Sequence, residues 1–183
     1  GTPQSEDVLT YERRDQQDWG FGGHVTDDGH YLIITIWQGT DRRNRVYYRD
    51  LTRPEAPVVK LFDAFDADYT FIDNIGPRFW FFTDQRAPRG RVVTVDTTQP
   101  GAPLQEVIPQ AAETLKGVNL LGDEVLCTYL KDARSQLKRF TLAGQASGEV
   151  RRDIPLRLLR SLVFGPMEHM LWEVVITGRQ IDV

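Results

Sequence analysis

The chain has 183 residues, of which 40% are hydrophobic and 26% charged, with a formal net charge of −4. That balance is the composition of a soluble folded domain long enough to bury a core, not of a disordered tail. The acidic excess argues against a phosphate-binding face and so against nucleic acid as a partner. The longest apolar runs fall far short of the roughly 20 residues that cross a bilayer, so no membrane segment is expected.

The first residues, Gly1 to Ser5, carry neither an initiator Met nor the basic and apolar regions of a leader, which reads as an excised fragment. The compartment stays open between cytoplasm and periplasm. Asp7 to Glu12 is expected to be the outer strand of a preceding blade, within a segment 1–15. The blade at 16–66 follows, with strands at Phe21 to Val25, Tyr31 to Trp37, Arg45 to Asp50 and Val58 to Phe62. The blade at 67–112 repeats it with Tyr69 to Asn74, Phe79 to Thr83, Arg91 to Asp96 and Leu104 to Ile108. The blade at 113–156 offers Gly117 to Leu120, Glu124 to Tyr129, Gln136 to Thr141 and Gly148 to Ile154. Pro109 to Lys116 has the composition of a helical turn but stands as a connection between blades. Arg160 to Phe164 and His169 to Thr177 start a further, divergent blade at 157–183.

The register of these units comes from their turns. Gly29, Gly76 and Gly122 each divide two strand-like runs and lie 47 and then 46 residues apart (76 − 29, 122 − 76). Strands ending in Asp50 and Asp96 give the same 46-residue step (96 − 50). The third copy, Leu137 to Leu142, falls where the period requires but lacks the Asp. A period of roughly 40 to 50 residues built of four strands is the signature of a β-propeller. β-Branched and aromatic residues fill the runs, Gly, Pro and Asp punctuate them, and no segment holds a 3.6-residue period. The fold class is therefore all-β: a partial β-propeller of about three four-stranded antiparallel blades with incomplete blades at both ends. Such a ring is open, and its uncovered blade edges point to self-association or to further chain.

Few residues carry chemistry. His24, His30 and His169 are too scattered for a metal site, and Asp63, Asp66 and Asp68 lack the spacing and the Gly of a calcium loop. Neither a metal nor a cofactor is expected. Arg42, Arg43 and Arg45 cluster at a hairpin tip with Asp41 and Asn44 and read as a solvated turn. Phe79-Trp80-Phe81-Phe82 alternates across a strand and so should fill the core on both sides of a blade. Cys127 reads as a core thiol. Two carboxylates about 5 to 10 Å apart, as a channel-mouth glycosidase needs, have no place in this pattern.

The stretches Gly1 to Asp7, Val25 to Leu32, Asn44 to Leu51 and Pro88 to Arg91 are ordered and spaced as in prolyl oligopeptidases. The chain resembles the propeller domain of that family, serine peptidases that cut short peptides after proline, from Gly1 to about Leu156. Beyond it the likeness fades. The resemblance implies part of a seven-bladed propeller that restricts entry of short proline-containing peptides to a separate α/β-hydrolase catalytic domain, its partner in the parent protein. The chain has no catalytic residue of its own: no Gly-x-Ser-x-Gly elbow occurs, and Gly144 to Gly148 has its glycines at the wrong offsets. One propeller loop of the family supplies a substrate-contacting Arg, and the matching position here is Trp37. That indole offers an apolar wall for a substrate side chain, or simply ends a strand. A stand-alone interaction module that closes by pairing with a second copy is the alternative function.

Overall fold

The computed structural model describes residues 3–141 except 100 and 123. After a single 3-10 turn at Gln4–Glu6, every element is a strand: β1 (Trp19–Val25), β2 (Tyr31–Gln38), β3 (Asn44–Asp50), β4 (Val59–Phe62), β5 (Tyr69–Ile75), β6 (Arg78–Thr83), β7 (Arg91–Asp96), β8 (Gln105–Ile108), β9 (Thr114–Leu121), β10 (Glu124–Lys131) and β11 (Arg134–Thr141). They form three antiparallel meanders in the orders β1-β2-β3-β4, β5-β6-β7-β8 and β9-β10-β11. This is the all-β, unclosed partial propeller expected from the period. The outer strand expected at Gly148 to Ile154 and the partial blade beyond Leu156 lie outside the described residues.

The two repeating landmarks have a local cause. Gly29, Gly76 and Gly122 turn the inner hairpins with φ of 74°, 56° and 61°, a conformation that costs a residue with a Cβ. Asp50 and Asp96 close the third strands in the same way. Each carboxylate accepts the backbone N–H and the hydroxyl of the Thr two residues on, Thr52 at 2.9 and 2.5 Å and Thr98 at 2.9 and 2.6 Å. An Asp-x-Thr turn of this kind satisfies backbone donors where the ladder stops.

Side chains alternate across each strand, so a blade between two others must bury both faces. Phe79 and Phe81 point into a core shared with the first sheet, where Ile33, Val46, Tyr48, Tyr69 and Val93 are buried. Trp80 points the other way, into a core with Val92, Leu115, Val125, Cys127 and Tyr129, against which Phe82 packs. The aromatic run thus fills both sides of one blade. A third, smaller cluster of Ile34, Ile36 and Tyr47 lies on the opposite face of the first sheet.

Two expectations change. Asp7 to Glu12 forms no strand. An outer strand needs a ladder neighbour, and none lies beside it among the described residues. The segment is instead pinned by Tyr11, whose ring meets Phe21 and Tyr47 edge-on, each at 5.7 Å. The connection expected at Pro109 to Lys116 is shorter than that, because β9 begins at Thr114, three residues earlier than expected. The backbone N–H of Leu115 is drawn to the carbonyl of Arg89 at 2.8 Å, which fixes that early start.

Candidate functional site

The loops joining β2 to β3, β4 to β5, β6 to β7, β8 to β9 and β10 to β11 all lie at one end of the sheets, where β1, β5 and β9 begin. Two grooves lie along the inner strands here. The first, of about 490 Å³, is lined by His24, Thr35, Trp37, Arg42, Asp68 and Phe71 among others. The second, of about 640 Å³, continues from it past Asp68 and Phe71 to Arg89 and Lys116.

Trp37 sits in register with Gly20 of β1 and Asn44 of β3, at the last turns of the β2 ladder. Its indole lies along β1 over Gly20 and Gly22. A Cβ at Gly20 would come within 2.6 Å of the ring carbon Cζ2, and one at Gly22 within 3.3 Å of Cζ3. The glycines therefore form a shelf that only a bare backbone provides. On it the ring keeps 40% of its surface exposed, facing the groove. That placement brings Trp37 together with Arg42, Phe71 and Asp68. The sequence had marked Trp37 and the arginine cluster separately and had left Phe71 unmarked, because nothing in its spacing distinguishes it from a core residue.

The three arginines at the hairpin tip separate. Arg43 pairs with Asp41 within the turn. Arg45 is drawn under the sheet edge, its guanidinium 4.6 Å from the rings of both Trp19 and Phe65, and donates to Asp63 at 2.5 Å. Arg42 alone extends to the groove, with its side chain 81% exposed and Asp68 at 3.9 Å.

The acidic set separates as well. Asp63 accepts from Arg45, from the Tyr47 hydroxyl and from Lys60, and these donors outweigh its desolvation and hold its carboxyl below the usual range. The same arrangement, through burial first and the Asp63 acceptor second, pushes the Tyr47 phenol up to about 12. Asp63, in the loop after β4 and 41% exposed, thus also braces the neighbouring strand. Asp66 accepts from the Tyr69 hydroxyl at 3.1 Å, while Asp68 faces the groove and is pushed up by burial and by Asp84. No group of three or more His, Cys, Asp or Glu side chains among the described residues could hold a metal ion. His24 lies in β1 against the Phe71 ring at 6.1 Å, and His30 lies at the opposite end beside Asp28. Burial pushes the Cys127 thiol up to about 12, which suits a core group and not a nucleophile.

Residues 1–167 match the family described as prolyl oligopeptidase, N-terminal beta-propeller domain. The chain belongs to this family. The match runs past Leu156, where the resemblance of the sequence motifs fades. The propeller is 30% identical over 158 residues to prolyl oligopeptidase A of Galerina marginata, covering 84% of this chain and 21% of that protein. It is 31% identical over 146 residues to the prolyl endopeptidase of Elizabethkingia meningoseptica, covering 79% and 20%. Among solved structures, one from a study of two prolyl endopeptidases superposes with a TM-score of 0.76 at 29% identity, over 85% of this chain and 23% of that one. Prolyl oligopeptidase B of Galerina marginata, without ligand, shares the fold with a TM-score of 0.73 at 24% identity, over 78% and 21%. The chain spans about a fifth of the length of the curated relatives it matches.

Proposed function

We propose that this chain is the non-catalytic propeller segment of a prolyl oligopeptidase-like serine peptidase, where it restricts the access of short proline-containing peptides to an α/β-hydrolase domain. The observation that carries the reading is the groove at the turn end of the inner strands, found in a member of this propeller family. It offers about 490 Å³ of space, and its walls mix an apolar ring with charged groups, the composition of a small-ligand site. Within it Trp37 is the apolar wall for a substrate side chain. The indole lacks the charge-assisted hydrogen bond an Arg would give, so recognition there rests on ring contact.

The test is a chromogenic proline-containing peptide, offered to this chain alone and to the parent protein with its hydrolase domain. The chain alone should give no turnover, whereas the parent should cleave a short peptide and reject a long one. Measurable cleavage by the chain alone, or equal cleavage of both lengths by the parent, would overturn the proposal. In the parent, Trp37→Ala should raise KM several-fold with kcat little changed. An unchanged KM would reduce Trp37 to the end of a strand.

A second reading, a stand-alone module that pairs with another copy, is favoured by one observation. The face of the first sheet turned away from the second leaves Phe21 40% and Val25 50% exposed, and in the segment before β1 Val8 and Leu9 are 85% and 65% exposed. Light scattering separates the two readings: a defined dimer supports pairing, and a monodisperse monomer sinks it.

A further inference from the structure

The two grooves share the wall made by β5 and differ in the wall opposite it, β1 for the first and β9 for the second. β1 pairs with β2 without interruption from Trp19 to Val25. β5 and β9 each carry a bulge. In β5, Phe71 is opposite Phe81 and Asp73 opposite Trp80, leaving Ile72 without a partner position. In β9, Leu115 is opposite Tyr129 and Gly117 opposite Thr128, leaving Lys116 so. A bulge re-aims the side chain of its extra residue, and both of these line the same groove. One supplies apolar floor, with Phe71 and Phe82. The other supplies an ammonium.

Lys116 has no ion-pair partner among the described residues. Arg89 joins it, held firmly in place. Its N–H donates to the Gln110 side chain at 2.8 Å, its carbonyl accepts from Leu115, and one guanidinium nitrogen donates to the Ala112 carbonyl at 3.1 Å. No carboxylate pairs with it among the described residues. Arg42 completes the set from the first sheet. Of the two carboxylates of the groove, Asp84 accepts the Asp68 N–H at 2.8 Å, while Asp68 accepts the Thr70 hydroxyl at 3.2 Å and stands 3.9 Å from Arg42, the one ion pair a peptide carboxylate would have to compete with. Burial also favours the neutral form of Asp68. Three cations over an apolar floor thus face a common space, in a chain whose overall charge is −4.

We propose that this groove selects acidic peptides: it takes a carboxylate of an extended peptide between Arg42, Arg89 and Lys116 while the backbone lies over Ile72, Phe71 and Phe82. This rests on the reading of the chain as a peptide-selecting segment and names the substrate class.

Isothermal titration calorimetry on the whole 183-residue chain tests it, using two proline-containing peptides identical except for Glu in one where the other has Lys. The acidic peptide should bind at least tenfold tighter than the basic one, with the preference shrinking at high salt as the charges are screened. Lys116→Glu should abolish the preference, and Lys116→Arg should keep it within about threefold. Circular dichroism checks that both variants fold, as an exposed position allows. Equal binding of the two peptides, binding of neither, or a preference untouched by Lys116→Glu would each overturn the proposal. None of those outcomes bears on whether the parent cleaves after proline, which the turnover assay decides separately.

Discussion

The two seams between adjacent sheets are built from different materials. Between the first and second sheets the core is aromatic. Phe79 meets Tyr31, Tyr48 and Phe71 edge-on at 4.8, 5.2 and 5.6 Å, and Phe62 stacks on Tyr69 at 4.0 Å. This seam is also clasped at both ends. At the turn end Asn44, buried, donates to the Tyr69 carbonyl at 2.9 Å and accepts its N–H at 2.7 Å. At the far end the Asn74 amide donates to Asp28 at 2.7 Å. Between the second and third sheets the core is mostly aliphatic, and the buried Trp80 indole N–H has no acceptor among the described residues. The difference teaches that either kind of apolar packing brings blades together, while side-chain amides tie them at chosen points: Asn44 and Asn74 across the first seam, and Gln110, which accepts the Arg89 N–H, beside the second.

The comparison breaks most sharply at Phe79. Phe79→Ala removes a fully buried ring with three edge-on partners and should cost about 3–5 kcal/mol in urea unfolding. Trp80→Phe, directed at the other seam, should cost less, since it also removes an unpaired polar group. Equal losses would erase the distinction between the seams. Next comes Asn44→Ala, which strands the Tyr69 N–H and carbonyl, each at about 1–3 kcal/mol. Faster hydrogen exchange at the Tyr69 amide is the expected readout, and an unchanged rate would show the clasp to be redundant.

The smallest effect is at the far end of the first seam. Hydrogen bonds from Thr26 first, then from the His30 N–H and Asn74, hold the Asp28 carboxyl down to about 2. In the unfolded chain it sits at about 3.9. A depressed folded value makes the contribution full above about pH 4 and lost as pH falls toward 2. The stability gap between the wild type and Asp28→Ala should therefore close over that window. A gap that stays constant down to pH 2 would show that the Asp28 charge contributes nothing.

The repeat was legible because its cause is local. A glycine at positive φ and an Asp-x-Thr turn are short sequence patterns, and they recur at Gly29 and Gly76 and at Asp50 and Asp96 whatever the rest of the chain does. Strand identities followed, and the 79–82 run could be assigned to two cores from alternation alone. The site was less legible. Trp37 stood out by its place in a motif, yet its shelf depends on pairing with Gly20 and Gly22 across a hairpin. The bulges at Ile72 and Lys116 are set by how a strand meets its neighbour, and no residue type announces them. The bracing role of Asp63 was hidden because two of its three donors, Arg45 and Tyr47, come from β3 and only Lys60 from the strand just before it. Asp7 to Glu12 was read as the outer strand of a preceding blade, but such a strand needs a neighbour to pair with, and none stands beside it among the described residues.

The placement of the indoles gives the chain a set of intrinsic fluorophores. Trp19 lies between two guanidiniums, those of Arg13 at 4.9 Å and Arg45 at 4.6 Å, while Trp80 is sealed in the second seam and Trp37 stands half in solvent at the groove. Of the four tryptophans of the chain, these three lie among the described residues, and they occupy three different environments. A peptide entering the groove should shift the Trp37 band and leave the Trp80 band still. Loosening of the second seam should do the reverse, so variants that keep a single tryptophan at 37 or at 80 would follow occupancy and opening separately without attaching a dye.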